Sequence, residues 1–230
     1  MPLLREREKE LLSKKFSREL EGEARLVVFL KENGCEYCGH VRELMEEVSQ
    51  LSEKIQASFY DLEKDSEKAA AWEVDKAPAT LIFGRKEYKI RYFGIPAGYE
   101  FTAFIEDIID ASRGRTHLSP STKQRVSKIQ NPIHIQVFVT PTCPYCPRAV
   151  RLAHQLAIES SMVKADMIES TEFPELAAKY NVMAVPKVVI NDVYYFEGAL
   201  PEPQFVEYVM AVAEGRIDDL PFSEYSGRIG

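Results

Sequence analysis

Two short stretches decide the reading of this chain: Cys35-Glu36-Tyr37-Cys38 and Cys143-Pro144-Tyr145-Cys146. They hold all four cysteines of a 230-residue sequence, and their first members are 108 residues apart. Pro78 and Pro186 are also 108 apart, so each pair stands 43 residues ahead of a proline. Between and around these anchors the two halves repeat in kind. Arg25–Leu30 and Ile133–Val139 precede the pairs and read as strands. Val41, Leu44, Met45, Val48 and Leu51 follow the first pair at helical spacing; Ala149, Val150, Ala153, Leu156 and Ala157 follow the second. Second strands are expected at Ala57–Leu62 and Val163–Ile168, and short helices at Ser66–Trp72 and Glu172–Tyr180. The prolines then introduce hairpins, Thr80–Phe83 with Tyr88–Phe93 and Lys187–Ile190 with Val193–Phe196, closed by Gly94 and Gly198. Final helices are expected at Phe101–Ala111 and Gln204–Ala213.

Each half therefore reads β-α-β-α-β-β-α, an α/β unit with a mixed central sheet flanked by helices. A further helix is expected ahead of each unit, in Leu3–Leu20 and in Pro120–Ile129, the latter with Ser119 as cap and Pro120 at its first position. The boundary falls in Ser112–Ser119, giving units 1–115 and 116–230. The Leu/Phe pattern of Leu3–Leu20 suits packing on its own sheet or a dimer face.

Composition is that of a globular chain, 45% hydrophobic and 28% charged, with enough apolar residues for a sizeable core. No apolar run reaches the length of a membrane span, and MPLLREREKE lacks the apolar stretch of a secretory signal; the expectation is a cytoplasmic protein without membrane partners. The net charge of -7 disfavours a nucleic-acid partner. Arg113, Arg115, Lys123, Arg125 and Lys128 form the best basic run, read as a phosphate patch or as the solvated side of a linker and helix.

A cysteine one turn from another at the mouth of a helix is suited to redox chemistry. Unsatisfied N–H groups and the helix dipole favour a thiolate there, lowering its pKa from about 8.5. Cys35 and Cys143 are the expected attacking thiolates, and Cys38 and Cys146 resolve the mixed disulfide. Pro144 stiffens its turn without adding charge, whereas Glu36 puts a negative charge beside Cys35 and opposes its ionisation. Unequal sites follow, with Cys143/Cys146 expected to carry more of the activity. Tyr37 and Tyr145 either rim the sites for an incoming chain or cap the local surface. Asp61 is a candidate proton-handling acid or a solvated strand end, and His40 a candidate modulator of the first site or an exposed helix residue. Trp72 reads as core, and His117, His134 and His154 show no metal-ligand spacing.

Tandem C-x-x-C units, each with a proline before the third strand, resemble the thioredoxin superfamily. The two-unit arrangement resembles the glutaredoxin-like protein disulfide oxidoreductases of thermophilic archaea and bacteria. The resemblance covers nearly the whole chain and implies a tandem repeat of two thioredoxin-like folds. It implies that Pro78 and Pro186 have cis peptide bonds and lie against the disulfides, where a substrate peptide pairs as an extended strand; the alternative is an ordinary edge-strand proline. Glutaredoxins resembling the second motif carry Thr-Val-Pro and Gly-Gly segments for glutathione. Here Ala184-Val185-Pro186 and a lone Gly198 replace them, favouring protein disulfides and dithiols as substrates. No G-x-G-x-x-G fingerprint is present, so no cofactor is expected and electrons come from a separate thioredoxin-reductase-like donor or go to an oxidant. Two rival classes are a four-cysteine metal site, disfavoured by the 104 residues between the pairs, and a chaperone-like binder of unfolded chains.

Overall fold

The computed structural model describes residues 3–216, 218, 220 and 226–229. Residues 1, 2 and 230, which include the outer bounds of the two expected units, lie outside the described residues. The first half runs α1 (Glu6–Glu19), β1 (Ala24–Leu30), α2 (Cys38–Ser49), β2 (Ile55–Asp61), α3 (Ser66–Ala71), β3 (Ala79–Phe83), β4 (Ile90–Phe93), α4 (Glu100–Arg113). The second runs α5 (Pro120–Val126), β5 (Ile133–Val139), α6 (Cys146–Glu159), β6 (Val163–Glu169), α7 (Pro174–Lys179), β7 (Lys187–Ile190), β8 (Tyr194–Glu197), α8 (Glu202–Ala213), followed by β9 (Ser226–Arg228). The expected order is present in both halves. Helix α4 begins one residue earlier than expected, at Glu100, and that residue matters below. Ser119 caps α5 through the Thr122 N–H at 3.2 Å, with Pro120 in the first turn.

The strands form one nine-stranded sheet in the order β2-β1-β3-β4-β6-β5-β7-β8-β9. Strands β1 and β2 are parallel, β3 is antiparallel to β1, and β4 antiparallel to β3. Strand β4 then pairs in parallel with β6, which is parallel to β5. Strands β1 and β5 therefore run the same way, and the two cysteine pairs, each following its strand, open at the same edge of the sheet. Four strand spacings of about 4.8 Å set them roughly 19 Å apart before the sheet's twist splays them.

Strands buried on both faces need apolar residues at nearly every position, which is why β1 reads Leu26-Val27-Val28-Phe29-Leu30. Leu26, Val28 and Leu30 enter one core and Val27 and Phe29 the other. The faces are unequal: α1, α2, α4, α5, α6 and α8 all contribute to the first core, whereas only α3 and α7 contribute to the second.

Buried charge joins the halves on both sides of the β4–β6 seam. On one face Arg91 of β4 makes two 2.6 Å bonds to Asp166 of β6, which also bonds His134 of β5 at 2.7 Å. On the other, Asp107 of α4 accepts from Tyr92 and from His154 Nδ1 of α6, both at 2.5 Å, and pairs with Arg151, which also reaches Asp110 at 2.5 Å. The Arg91 guanidinium and His134 hold the Asp166 carboxyl well below the usual range despite burial, and Arg151 and His154 do the same for Asp107.

Candidate redox sites

Each cysteine pair is a disulfide with Cα atoms 5.5 Å apart, inside the ordinary span for such a bond. The second cysteine, not the first, is the opening helical residue in both: Tyr37 and Tyr145 occupy the N-cap position and the first cysteine lies ahead of it. The consequence for charge is retained in the second site, where a helix N–H still points at the first sulfur. In the second site the Cys146 N–H donates to Cys143 Sγ at 3.1 Å. In the first, the Lys31 N–H donates to Cys38 Sγ at 3.3 Å. Cys146 is fully buried and Cys143 nearly so, while Cys35 is half-buried.

The Ala77–Pro78 and Val185–Pro186 bonds are both cis. The Val185 carbonyl oxygen lies 3.7 Å from Cys143 Sγ, which brings the second proline segment against its disulfide. The two proline loops are tied alike: the Pro78 carbonyl accepts from Gly94 N–H at 3.0 Å and the Pro186 carbonyl from Gly198 N–H at 2.8 Å. Tyr145 is exposed, whereas Tyr37 is half-buried with its ring 6.2 Å from that of His40.

Several other sequence candidates resolve into ordinary roles. Asp61 ends an edge strand, accepting from Lys64 N–H at 2.9 Å and Glu63 N–H at 3.0 Å, which hold its carboxyl below the usual range. Trp72 sits at the rim of the smaller core between Phe29, Tyr60 and Phe83, its Nε1 donating to Glu87 at 3.2 Å. Four of the five residues of the basic run are paired with acids: Arg113 with Glu19, Arg115 with Glu21, Lys123 with Glu159 and Arg125 with Glu207. Among the described residues no group of three or more metal-ligating side chains is gathered, and the cysteine pairs stand four strands apart. No helix among them is long and apolar enough to cross a membrane.

The sequence reading missed three acids at this end of the sheet. Glu169, the counterpart of Asp61, is buried because β6 lies inside the joined sheet, and it accepts from Thr171 Oγ1 at 2.6 Å and Glu172 N–H at 2.7 Å. Glu172 reaches into the first half, taking the Ile95 N–H at 2.6 Å. Burial, reinforced by the charges of Glu169 and Glu36, pushes it up to about 7. Glu100 is 1% exposed, and neither carboxyl oxygen has a hydrogen-bond partner. Burial, with the nearby charge of Asp107, pushes it up to about 8.

Helical register fixes what Glu100 faces. Helices α4 and α6 follow strands that run to the cysteine edge, so both start there and run back in parallel. Asp107 on α4 meets Arg151 and His154 on α6. Seven residues, nearly two turns, return to the same helix face. Glu100 therefore lies toward the start of α6, on the face of α4 that carries Asp107. The preceding residues agree: Tyr99 N–H donates to the Pro141 carbonyl at 3.1 Å, and a Cβ on Gly98 would collide with that same oxygen. A buried acid from the first half thus lies at the end of the sheet where the second cysteine pair opens. A single glutamate in the first turn of an amphipathic helix looks like a dipole-favoured surface residue, so only the packing of the halves exposes its role.

Comparison with known proteins agrees with this architecture. Residues 133–211 match the family model for a thioredoxin domain. A thioredoxin of Methanocaldococcus jannaschii is 37% identical over 78 residues, 34% of this chain and 92% of that one. An alkyl hydroperoxide reductase protein of Staphylococcus aureus is 23% identical over 160 residues, 70% of this chain but 29% of that one, so the chain spans under a third of that curated relative's length. The crystal structure of a protein disulfide oxidoreductase from Aeropyrum pernix is 31% identical with a TM-score of 0.86, covering 93% of this chain and 95% of that one. Matched almost end to end at that identity, the chain belongs to the protein disulfide oxidoreductases, two thioredoxin-like units in one polypeptide.

Proposed function

We propose that the chain exchanges dithiols and disulfides on protein substrates through two unequal sites, one in unit 1–115 and one in unit 116–230. The carrying observation is the pair of disulfides at helix mouths on one sheet edge, each with a cis-proline loop in its half. In the reducing direction the Cys143 thiolate attacks a substrate disulfide, forming a mixed disulfide and releasing one substrate thiol. Cys146 loses its proton and attacks Cys143 Sγ; the internal disulfide forms and the second substrate thiol leaves. The oxidising direction is the reverse. A substrate thiolate opens the disulfide at Cys143, Cys146 departs as a thiolate, and its proton comes from neutral Glu100. Cys35 and Cys38 perform the same exchange with Glu36 alongside. Tyr37, Tyr145, Pro78 and Pro186 are the substrate-facing residues. Partners are protein dithiols and disulfides together with a separate thioredoxin-reductase-like donor, and the setting is cytoplasmic.

The test is reduction of insulin disulfides by the purified chain with dithiothreitol as electron source. Catalysis above the dithiothreitol background is expected; a rate equal to background would overturn the reading.

A further inference from the structure

Among the described residues the exposed large apolar side chains are Leu3, Leu11, Tyr99, Tyr145, Met183 and Val193. Their positions are not scattered. Tyr145 lies within the second cysteine motif, and Met183 stands three residues before Pro186. Tyr99 is held against Pro141, two residues before Cys143. Leu3 and Leu11 line an open cavity of about 520 Å³ between α1, α2 and the segment after β4. Only Val193 stands elsewhere, in the β7–β8 turn.

One short segment joins these places. Ile95, Pro96, Ala97 and Gly98 form a wall of the cavity. The segment begins at Gly94, whose N–H is bonded to Pro78 of the first site, and ends at Tyr99, whose N–H is bonded to Pro141 of the second. The cavity thus adjoins the backbone that frames both disulfides, and its lining is leucine, isoleucine, proline, alanine, glycine and phenylalanine, with Glu8 the one charged residue. Helix α1 supplies Glu8, Leu11 and Leu12 to it and is not one of the elements that carry either disulfide.

We propose that this groove, floored by Leu4, Leu12, Leu44 and Phe101 and reached past Tyr99, docks an apolar segment of the unfolded protein whose disulfide is at Cys143. The inference rests on the exchange activity proposed above. The occupant follows from continuity. A protein disulfide held at Cys143 brings its flanking chain across the 95–99 segment, and an unfolded chain offers the apolar side chains that such a lining takes from water. A small disulfide reaches Cys143 without touching the groove. Docking therefore contributes to protein substrates alone.

The experiment compares wild type with Leu11→Glu, a substitution at an exposed helix position, and with Val193→Glu as a control. Steady-state reduction of insulin and of a small aromatic disulfide is measured, together with anisotropy of a labelled, cysteine-free apolar peptide. Leu11→Glu is expected to raise KM for insulin and Kd for the peptide about fivefold, with kcat and the small disulfide unchanged. Val193→Glu leaves all of these as in wild type. Equal peptide affinity in wild type and Leu11→Glu overturns the docking site. So does a wild-type dimer that Leu11→Glu dissociates without moving the insulin KM, since a second copy then fills the groove. A wild type that reduces neither disulfide refutes the exchange reading, and the peptide titration then decides the groove by itself.

Discussion

Around Cys35 the neighbouring side chains are charged. A polar cavity of about 380 Å³ beside the first disulfide is lined by Lys31, Glu32, Arg42 and Asp61, and Glu36 and Glu172 add negative charge. Along the chain near Cys143 and its proline loop large apolar side chains stand exposed, Tyr145 and Met183, with Tyr99 held against Pro141, and Glu100, next to Tyr99, is buried without a partner. The backbone frame is nearly the same in both, with a 5.5 Å cysteine span, a helix beginning at the second cysteine and a cis proline. The two halves thus share the backbone geometry around the disulfide and differ in what the opposite half packs near it. The second site receives Glu100 and Tyr99 from the first unit, and the first receives Glu172 from the second.

The comparison is broken most severely by parting the seam. Replacing Asp166 with Ala strands Arg91 and His134 in the interior, and a loss of about 3–5 kcal/mol is expected, since removing one partner of a buried pair leaves an uncompensated charge. Thermal and denaturant unfolding measure it. Asp61→Ala at the solvated edge is expected to cost far less. Equal losses at the two positions would mean that the units are not joined through this cluster.

Glu100→Gln sharpens the comparison without cutting it. It leaves the shape intact but cannot exchange a proton. Exchange at Cys143 is expected to slow about tenfold, less than the roughly 10²–10⁴-fold of many acid–base groups because a thiolate departs readily. In the Cys143→Ser background, where only Cys35 reacts, the same change has no effect. Stability provides a second readout. The native chain keeps the Glu100 proton up to about pH 8, whereas the unfolded chain gives it up near the ordinary 4.5. Between those values the native state binds more protons, so stability falls as pH rises from 4.5 and levels off above 8. Glu172, pushed up to about 7, adds a slope of the same sign between 4.5 and 7, so Glu100→Gln should lessen the fall there and abolish it between 7 and 8; a fall unchanged in the variant would place the titration elsewhere.

Glu36→Pro gives the first motif the residues of the second. Removing a negative charge beside the thiolate should lower the Cys35 pKa, measurable as thiolate ultraviolet absorbance against pH. No change would shift the cause of inequality from Glu36 to Glu172.

Much of the frame was legible in the sequence because the repeat carries its own register. The 108-residue offset aligns Cys35 with Cys143 and Pro78 with Pro186, and continuous apolar runs such as Leu26–Leu30 signal strands buried on both faces. Other features were not legible because they exist only between the halves. Strand β4 carries Arg91, which reads as an exposed edge position until β6 supplies Asp166. Asp61 and Glu169 occupy equivalent positions, yet one is at an edge and the other inside the joined sheet. Glu100 and Glu172 likewise acquire their surroundings from the opposite unit.

The two sites are proposed to be unequal, with Cys143/Cys146 carrying most of the exchange on protein disulfides. Insulin reduction by wild type, Cys35→Ser, Cys143→Ser and the double variant tests it most directly. Cys143→Ser is expected to lose about tenfold or more while Cys35→Ser stays within about twofold of wild type, a gap of roughly 1 kcal/mol in barrier. Equal halving by either single variant would contradict it.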